Sequence, residues 1–280
     1  MDLLIIVILL LLGAIIGTIS GLLGIGGGFI TVPVLMYILT NIFKIPINYS
    51  IKIAIGTSLL VIFINGIIST YFQHKNNNIL WINAIYLGIF GIIGATIGVN
   101  FSKYLSGKLH IFLFGILLIL ISLNIIRHIY YSKNNNNNNT NNNNNKTNKY
   151  VICAIGLFSG IISSLFGIGG GILVVPILHH TLKYNIRKSI GTSSVMIILI
   201  SFSGMIGYFL MNNHINNNIS DELLLYGNIS IVIGFIISLT GIFFSKLGVK
   251  LANMLNTAKL NIILSIILFI TGLKMILTIY

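Results

Sequence analysis

Carboxylates are nearly missing: Asp2, Asp221 and Glu222 are the three acidic residues in a chain of 280. None of them lies mid-span in a long apolar run. Paired-carboxylate acid–base chemistry and proton relay through a buried Asp or Glu therefore have no residues to use. A single cysteine, Cys153, excludes an internal disulfide and any thiolate metal cluster. With no HExxH motif and no Cys/His ligand spacing, the sequence calls for no catalytic residue, no metal and no cofactor. Charged residues of both signs make up 7% of the chain, too few to cover the surface of a soluble domain.

What fills the chain instead is apolar: 56% of residues are hydrophobic and the mean hydropathy is +1.00. Stretches long enough to cross about 30 Å of hydrocarbon, roughly 20 residues each, recur from end to end. This composition specifies an all-α polytopic membrane protein. The sixteen Lys and Arg residues give a net charge of +13, and nearly all fall in short gaps between apolar runs. A nucleic-acid binder would gather them on one face with aromatics between, so nucleic acid is excluded as a partner. Loop charge that sets topology and meets anionic membrane lipids is the reading that fits. Residues 1–12 have the apolar character of a signal peptide but no basic leader, and they are expected to open the first membrane helix.

The chain is written twice. GLLGIGGGFITVPVL, residues 21–35, matches SSLFGIGGGILVVPIL, residues 163–178: Gly24 to Gly28 fall on Gly167 to Gly171 and Pro33 on Pro176, 143 residues on. IGTS at Ile55–Ser58 recurs at Ile190–Ser193, and at the first spacing Gly98 falls on Gly241 and the FSK of 101–103 on that of 244–246. Matches in one order across both parts indicate an internal repeat. The expected division is 1–131, an N-terminal transmembrane repeat; 132–149, an Asn-rich disordered linker; and 150–280, a C-terminal transmembrane repeat.

Apolar runs fall near 2–22, 29–40, 52–72, 79–100 and 109–129, then near 149–166, 171–182, 188–211, 222–244 and 257–279. Each homologous half thus has four long transmembrane helices and one short, broken or re-entrant helix directly after GIGGG. If the short element turns back, the halves are parallel repeats; ten of the sixteen basic residues then share one side, and both termini face outward. If it crosses fully, the halves are inverted repeats. The sequons at Asn138, Asn145 and Asn218 are those expected by chance in so Asn-rich a chain.

Glycine and proline are the residues that most weaken a helix, and in hydrocarbon each freed N–H costs several kcal/mol unless protein or a water-filled cavity receives it. Consecutive glycines followed by proline, twice over, describe a pair of discontinuous helices. The start of a half-helix carries about half a positive charge and unclaimed donors, so it can hold an anion without a buried Lys or Arg. Transporters built from repeats place their sites at such corresponding breaks. The candidate substrate-binding residues are Gly26, Gly27, Gly28, Gly169, Gly170 and Gly171, with Pro33 and Pro176 as helix breakers. Isolated pairs such as Gly17/Gly21 and Gly94/Gly98 read instead as close helix packing.

Thr57, Ser58, Thr192 and Ser193, with Ser194, are candidates to line the same site; the alternative is that they cap or back-bond to their own helices. His179 and His180 read as an interfacial pair, and Asn65, Asn83 and Asn100 as interhelical hydrogen bonders. The doubled GIGGG-x4-P, the trailing IGTS and the two four-helix halves resemble the sulfite exporter TauE/SafE family, also called the toluene sulfonate uptake permease family, over roughly 13–130 and 150–279. That resemblance implies a permease for sulfur-containing or organic anions such as sulfite, sulfonates or sulfoacetate, and places the family's glycine-rich motif on Gly24–Gly28 and Gly167–Gly171. A small anionic substrate and alternating access between the halves follow as expectations. An integral membrane protein with a structural or assembly role is the alternative.

Overall fold

A computed structural model describes residues 3–23, 26–134, 149–180, 182–211, 223–254 and 257–278. The helices are α1 (Leu3–Leu23), α2 (Gly28–Asn41), α3 (Ile47–Lys75), α4 (Trp81–Tyr104), α5 (Gly107–Asn134), α6 (Lys149–Phe166), α7 (Gly171–His180), α8 (Ile186–Phe209), α9 (Ile231–Met254) and α10 (Thr257–Leu277). A two-stranded antiparallel hairpin, β1 (Leu225–Tyr226) and β2 (Ile229–Ser230), precedes α9. Seven helices among the described residues, α1, α3, α4, α5, α6, α8 and α9, are long and apolar enough to cross a membrane. The protein is an all-helical, multi-pass membrane protein. The expected linker begins inside the last turns of α5, and its residues 135–148 lie outside the described residues, as do the sequons at Asn138, Asn145 and Asn218.

Small residues decide which helices touch. Gly13, Gly17 and Gly21 recur every four residues on α1 and lie against Ile237, Gly241 and Ser245 of α9. On α6, Gly156 and Gly160 lie in the same way against Leu87 and Gly91 of α4. Without side chains between them the backbones approach closely, which is how helices associate where lipid removes the hydrophobic drive. The first helix of each segment therefore packs on the fourth helix of the other. The helices α3 and α8 cross at the centre, with Leu59 against Gly204 and Gly66 against Ile198.

These contacts also give direction. The α1–α9 pairs advance together along both helices, and so do those of α3 with α9, where Leu60 meets Gly234 and Asn65 meets Gly241. Helices α4, α6 and α8 share a direction by the same test, with Gly88 against Leu199 and Gly91 against Ile200. Because Leu59–Gly204 and Gly66–Ile198 run in opposite senses, the trio α1, α3, α9 is antiparallel to the trio α4, α6, α8.

The register of the fourth helices corrects the sequence alignment. Gly17 meets Gly241 as Gly160 meets Gly91, and Gly248 meets the Thr18 carbonyl as Gly98 meets that of Ile161. Gly98 therefore corresponds to Gly248, not Gly241, and the two FSK matches are not equivalent positions. A slip of seven residues is about two helical turns, so it keeps the same face and the same small-residue stripe.

A side chain at these crossings has no room. Gly17→Leu and Gly160→Leu should each cost at least about 1–3 kcal/mol, whereas Gly66→Ala, whose new carbon meets the Ile198 side chain at 3.2 Å, should cost under about 1 kcal/mol. Thermal unfolding of the purified protein in detergent checks this, and equal unfolding temperatures for all three variants would contradict it.

Candidate functional site

Both glycine clusters interrupt the helices. Helix α1 ends at Leu23 and α2 starts at Gly28; α6 ends at Phe166 and α7 starts at Gly171. Gly26 and Gly27 hold φ of 88° and 76°, and Gly169 and Gly170 hold 89° and 73°. Side-chain-bearing residues rarely enter this left-handed region, which accounts for consecutive glycines here. The first helical bonds close on the Gly27 carbonyl, from the Ile30 and Thr31 amides, and on the Gly170 carbonyl, from Leu173 and Val174. The amides of Gly28 and Phe29, and of Gly171 and Ile172, therefore precede the first intrahelical bond. No side chain caps α2.

The two breaks meet. Gly28 packs directly on the Gly167 carbonyl and Ile168, and a carbon added to Gly26 would stand 3.4 Å from the Ile168 oxygen and 3.0 Å from Ile62. The carbonyls freed at the end of α6 are taken by side chains. Ser58 donates its hydroxyl to the Gly167 oxygen at 2.7 Å, and His110 donates Nε2–H to the Leu165 oxygen at 2.6 Å. Both side chains are fully buried. Ser163, also buried, has a hydroxyl without a partner among the described residues, and its Cβ lies 3.4 Å from where one on Gly170 would be.

The prolines do not make the interruption. Pro33 lies inside α2 and Pro176 inside α7. Each removes one interior N–H donor, so the glycines alone break the chain direction.

Both IGTS copies act structurally at the next helices. Gly56 lies against the Asn228 carbonyl and Gly191 against that of Asn78. Beside them, the Thr57 hydroxyl accepts the Ser230 amide at 2.9 Å and that of Thr192 the Leu80 amide at 3.1 Å, immediately ahead of α9 and α4. Each threonine thus supplies an acceptor to the start of a helix in the other segment. Ser193 and Ser194 back-bond to Ile190 and Gly191. Ser58 bonds the Gly167 carbonyl and so stands at the second break.

Asn83 of α4 donates to the Tyr184 hydroxyl in the connection between α7 and α8 at 2.7 Å, while Asn100 donates to the Thr96 carbonyl in its own helix. Asn65, expected to pair between helices, has no partner on either amide atom among the described residues. His179 meets the Tyr184 carbonyl, and the His180 side chain lies outside the described residues. His110 and Ser163 were not singled out by sequence reasoning. A histidine one residue into an apolar run was the available signal.

Removing a threonine acceptor resembles removing an N-cap. Thr57→Val and Thr192→Val should each cost about 1 kcal/mol, read as lowered thermal stability with insertion retained. A stability equal to that of the unmodified protein would contradict this assignment.

The chain matches the family model described as sulfite exporter TauE/SafE over residues 9–275. It is 35% identical over 278 residues to a probable membrane transporter protein of Methanocaldococcus jannaschii, covering 98% of this chain and 97% of that one. It is 30% identical over 282 residues to the probable membrane transporter protein YunE of Bacillus subtilis, covering 96% and 97%. A Haemophilus influenzae probable membrane transporter protein is 32% identical over 277 residues, at 96% and 97% coverage. No solved structure matches the chain. A family match spanning nearly all the helices described above, together with relatives of the same length named as transporters, establishes that this chain belongs to the sulfite exporter TauE/SafE family of membrane transporters.

Proposed function

We propose that the protein is a permease for a small sulfur-containing or organic oxyanion, sulfite-like or sulfonate-like, bound between the paired glycine breaks. The observation that carries this reading is that the start of α2, at Gly28, lies against Gly167 and Ile168 of the opposite break, from which α7 starts at Gly171. Each start offers leading amides and about half a positive charge, so an anion can be stabilised where no Lys or Arg is buried among the described residues. Gly26, Gly27, Gly28, Gly169, Gly170 and Gly171 form the cradle, Ser58 holds its floor and the unpaired Ser163 hydroxyl is a further donor. Thr57 and Thr192 act by fixing α9 and α4.

In this reading the two segments are inverted repeats, since α1 and α6 run in opposite directions. Each consists of long helices plus the short element that returns from the break. Lys75, Arg127, Lys133, Lys149, Lys183, Arg187, Lys188, Lys246, Lys250 and Lys259 then share one end, and Lys44, Lys52, Lys103, Lys108 and Lys274 the other. By the excess of basic residues the first end faces the cytosol. Rocking of the trio α1, α3, α9 against α4, α6, α8 about the α3–α8 crossing exposes the breaks to each side in turn.

Gly27→Leu or Gly170→Leu forces a side chain into a left-handed site and should abolish flux of labelled sulfite in proteoliposomes while leaving insertion intact. Flux at the unmodified rate would remove the breaks from the mechanism, and no flux of sulfite, sulfonates or organic acids by the unmodified protein would favour a non-transport role. For the topology, single cysteines are placed in a Cys153→Ser background. Lys44→Cys should react with an impermeant maleimide in intact cells, and Lys183→Cys only after permeabilisation. The reverse pattern would overturn the orientation.

A further inference from the structure

The pseudosymmetry of the two segments fails at one buried place. Asn65 of α3 lies against Gly241 of α9, where a carbon on Gly241 would stand 2.6 Å from both its Nδ2 and its Oδ1. At the corresponding crossing Ile200 of α8 lies against Gly91 of α4. One turn further along the two parallel helices come Ser69 and Ser245, and their counterparts are Gly204 and Ala95. One segment is therefore polar where the other is apolar. Asn65 and Ser245 are 0% exposed and Ser69 is 2% exposed. Neither amide atom of Asn65 nor either serine hydroxyl has a hydrogen-bond partner among the described residues. Three such residues left unpaired inside an apolar bundle would cost several kcal/mol, so their retention points to an occupant.

The neighbouring helix end identifies its charge. Ser245 and Gly248 lie along the last turn of α1, with Gly21 against the Ser245 carbonyl and Gly248 beside the Thr18 carbonyl and the Leu22 amide. The final carbonyls of a helix have no intrahelical donors and carry about half a negative charge, which favours a cation. At the equivalent end of α6, His110 takes up the Leu165 carbonyl. Gly115 and Gly272 lie against one another's carbonyl and Ile276 or Ile119 side chains, a reciprocal contact that carries His110 onto Ile267. Where α6 has imidazole beside its end, the corresponding position of the other segment is therefore isoleucine.

We infer that Asn65 Oδ1, Ser69 Oγ and Ser245 Oγ, beside the C-terminal carbonyls of α1, form a site for a sodium ion. Neutral oxygens are the ligands a hard cation selects, and the lack of a carboxylate at the site favours one charge over two. Asn65 follows Ile62, which touches Gly26, by one turn. An ion held here steadies α1, α3 and α9 around the first glycine break. Its role as the coupling ion rests on the permease reading, whereas its binding does not.

The test is saturable binding of radioactive sodium to the purified full-length protein in detergent, with choline as the replacement ion and no transported anion present. Asn65→Ile and Ser69→Gly, which install the residues of the other segment, and Ser245→Ala should each weaken binding at least about tenfold. Asn65→Asp should retain or tighten it, because a carboxylate strengthens a cation site and would weaken an anion site. No saturable sodium binding by the unmodified protein, unchanged binding in Asn65→Ile and Ser245→Ala, or weaker binding in Asn65→Asp would each overturn the inference. Sulfite binding lost in Asn65→Ile with sodium binding unchanged would assign the cluster to the anion and likewise overturn it. Sulfite flux through the unmodified protein without sodium binding would leave the permease reading standing and remove the cation site alone.

Discussion

Backbone polarity without water is the constraint on which this architecture turns. Inside hydrocarbon every amide and carbonyl needs a partner, and an unbroken helix is the simplest way to supply one. This chain departs from that solution at Gly26–Gly27 and Gly167–Gly170, and the surrounding structure is organised around the departure. The Gly167 carbonyl is answered by Ser58 and that of Leu165 by His110, each from a distant helix. The leading amides of α2 and α7 are left ahead of the first helical bond. In the permease reading proposed above, the positive charge that an anion requires is built from peptide dipoles rather than side chains.

The exchange of partners between segments holds the breaks together. Because α1 packs on α9 and α6 on α4, neither segment can separate without losing its closest backbone contacts. Thr57 and Thr192 add a second clasp, each supplying an acceptor to the helix start of the opposite segment. Corresponding contacts recur in the two segments, and the departures from them are correspondingly informative. Asn65 against Ile200, and His110 against Ile267, are places where the two copies have taken different chemistry.

Much of this was legible in the sequence because it is local. Runs of Leu and Ile long enough to span a bilayer announce helices, and consecutive glycines announce a backbone that side chains would forbid. The hydroxyl pairs were legible in position but not in what they bond, since Thr57 meets Ser230 across 173 residues, a pairing that no spacing reveals. His110 escaped for the same reason, its partner Leu165 being 55 residues away. The FSK match misled because a helix face repeats every two turns, so a seven-residue slip leaves the glycine stripe intact. Pro33 and Pro176 marked the right elements, but the interruption falls just before them.

The central claim is that the backbone amides at the two breaks hold the anion together. It is tested most directly by nitrogen-15 NMR of glycine-labelled protein in lipid, titrated with sulfite. The account requires the amide resonances of Gly28 and Gly171 to move together, saturably, with a single midpoint. Movement confined to glycines outside the two clusters, or no movement of either cluster while sulfite is bound, would contradict it.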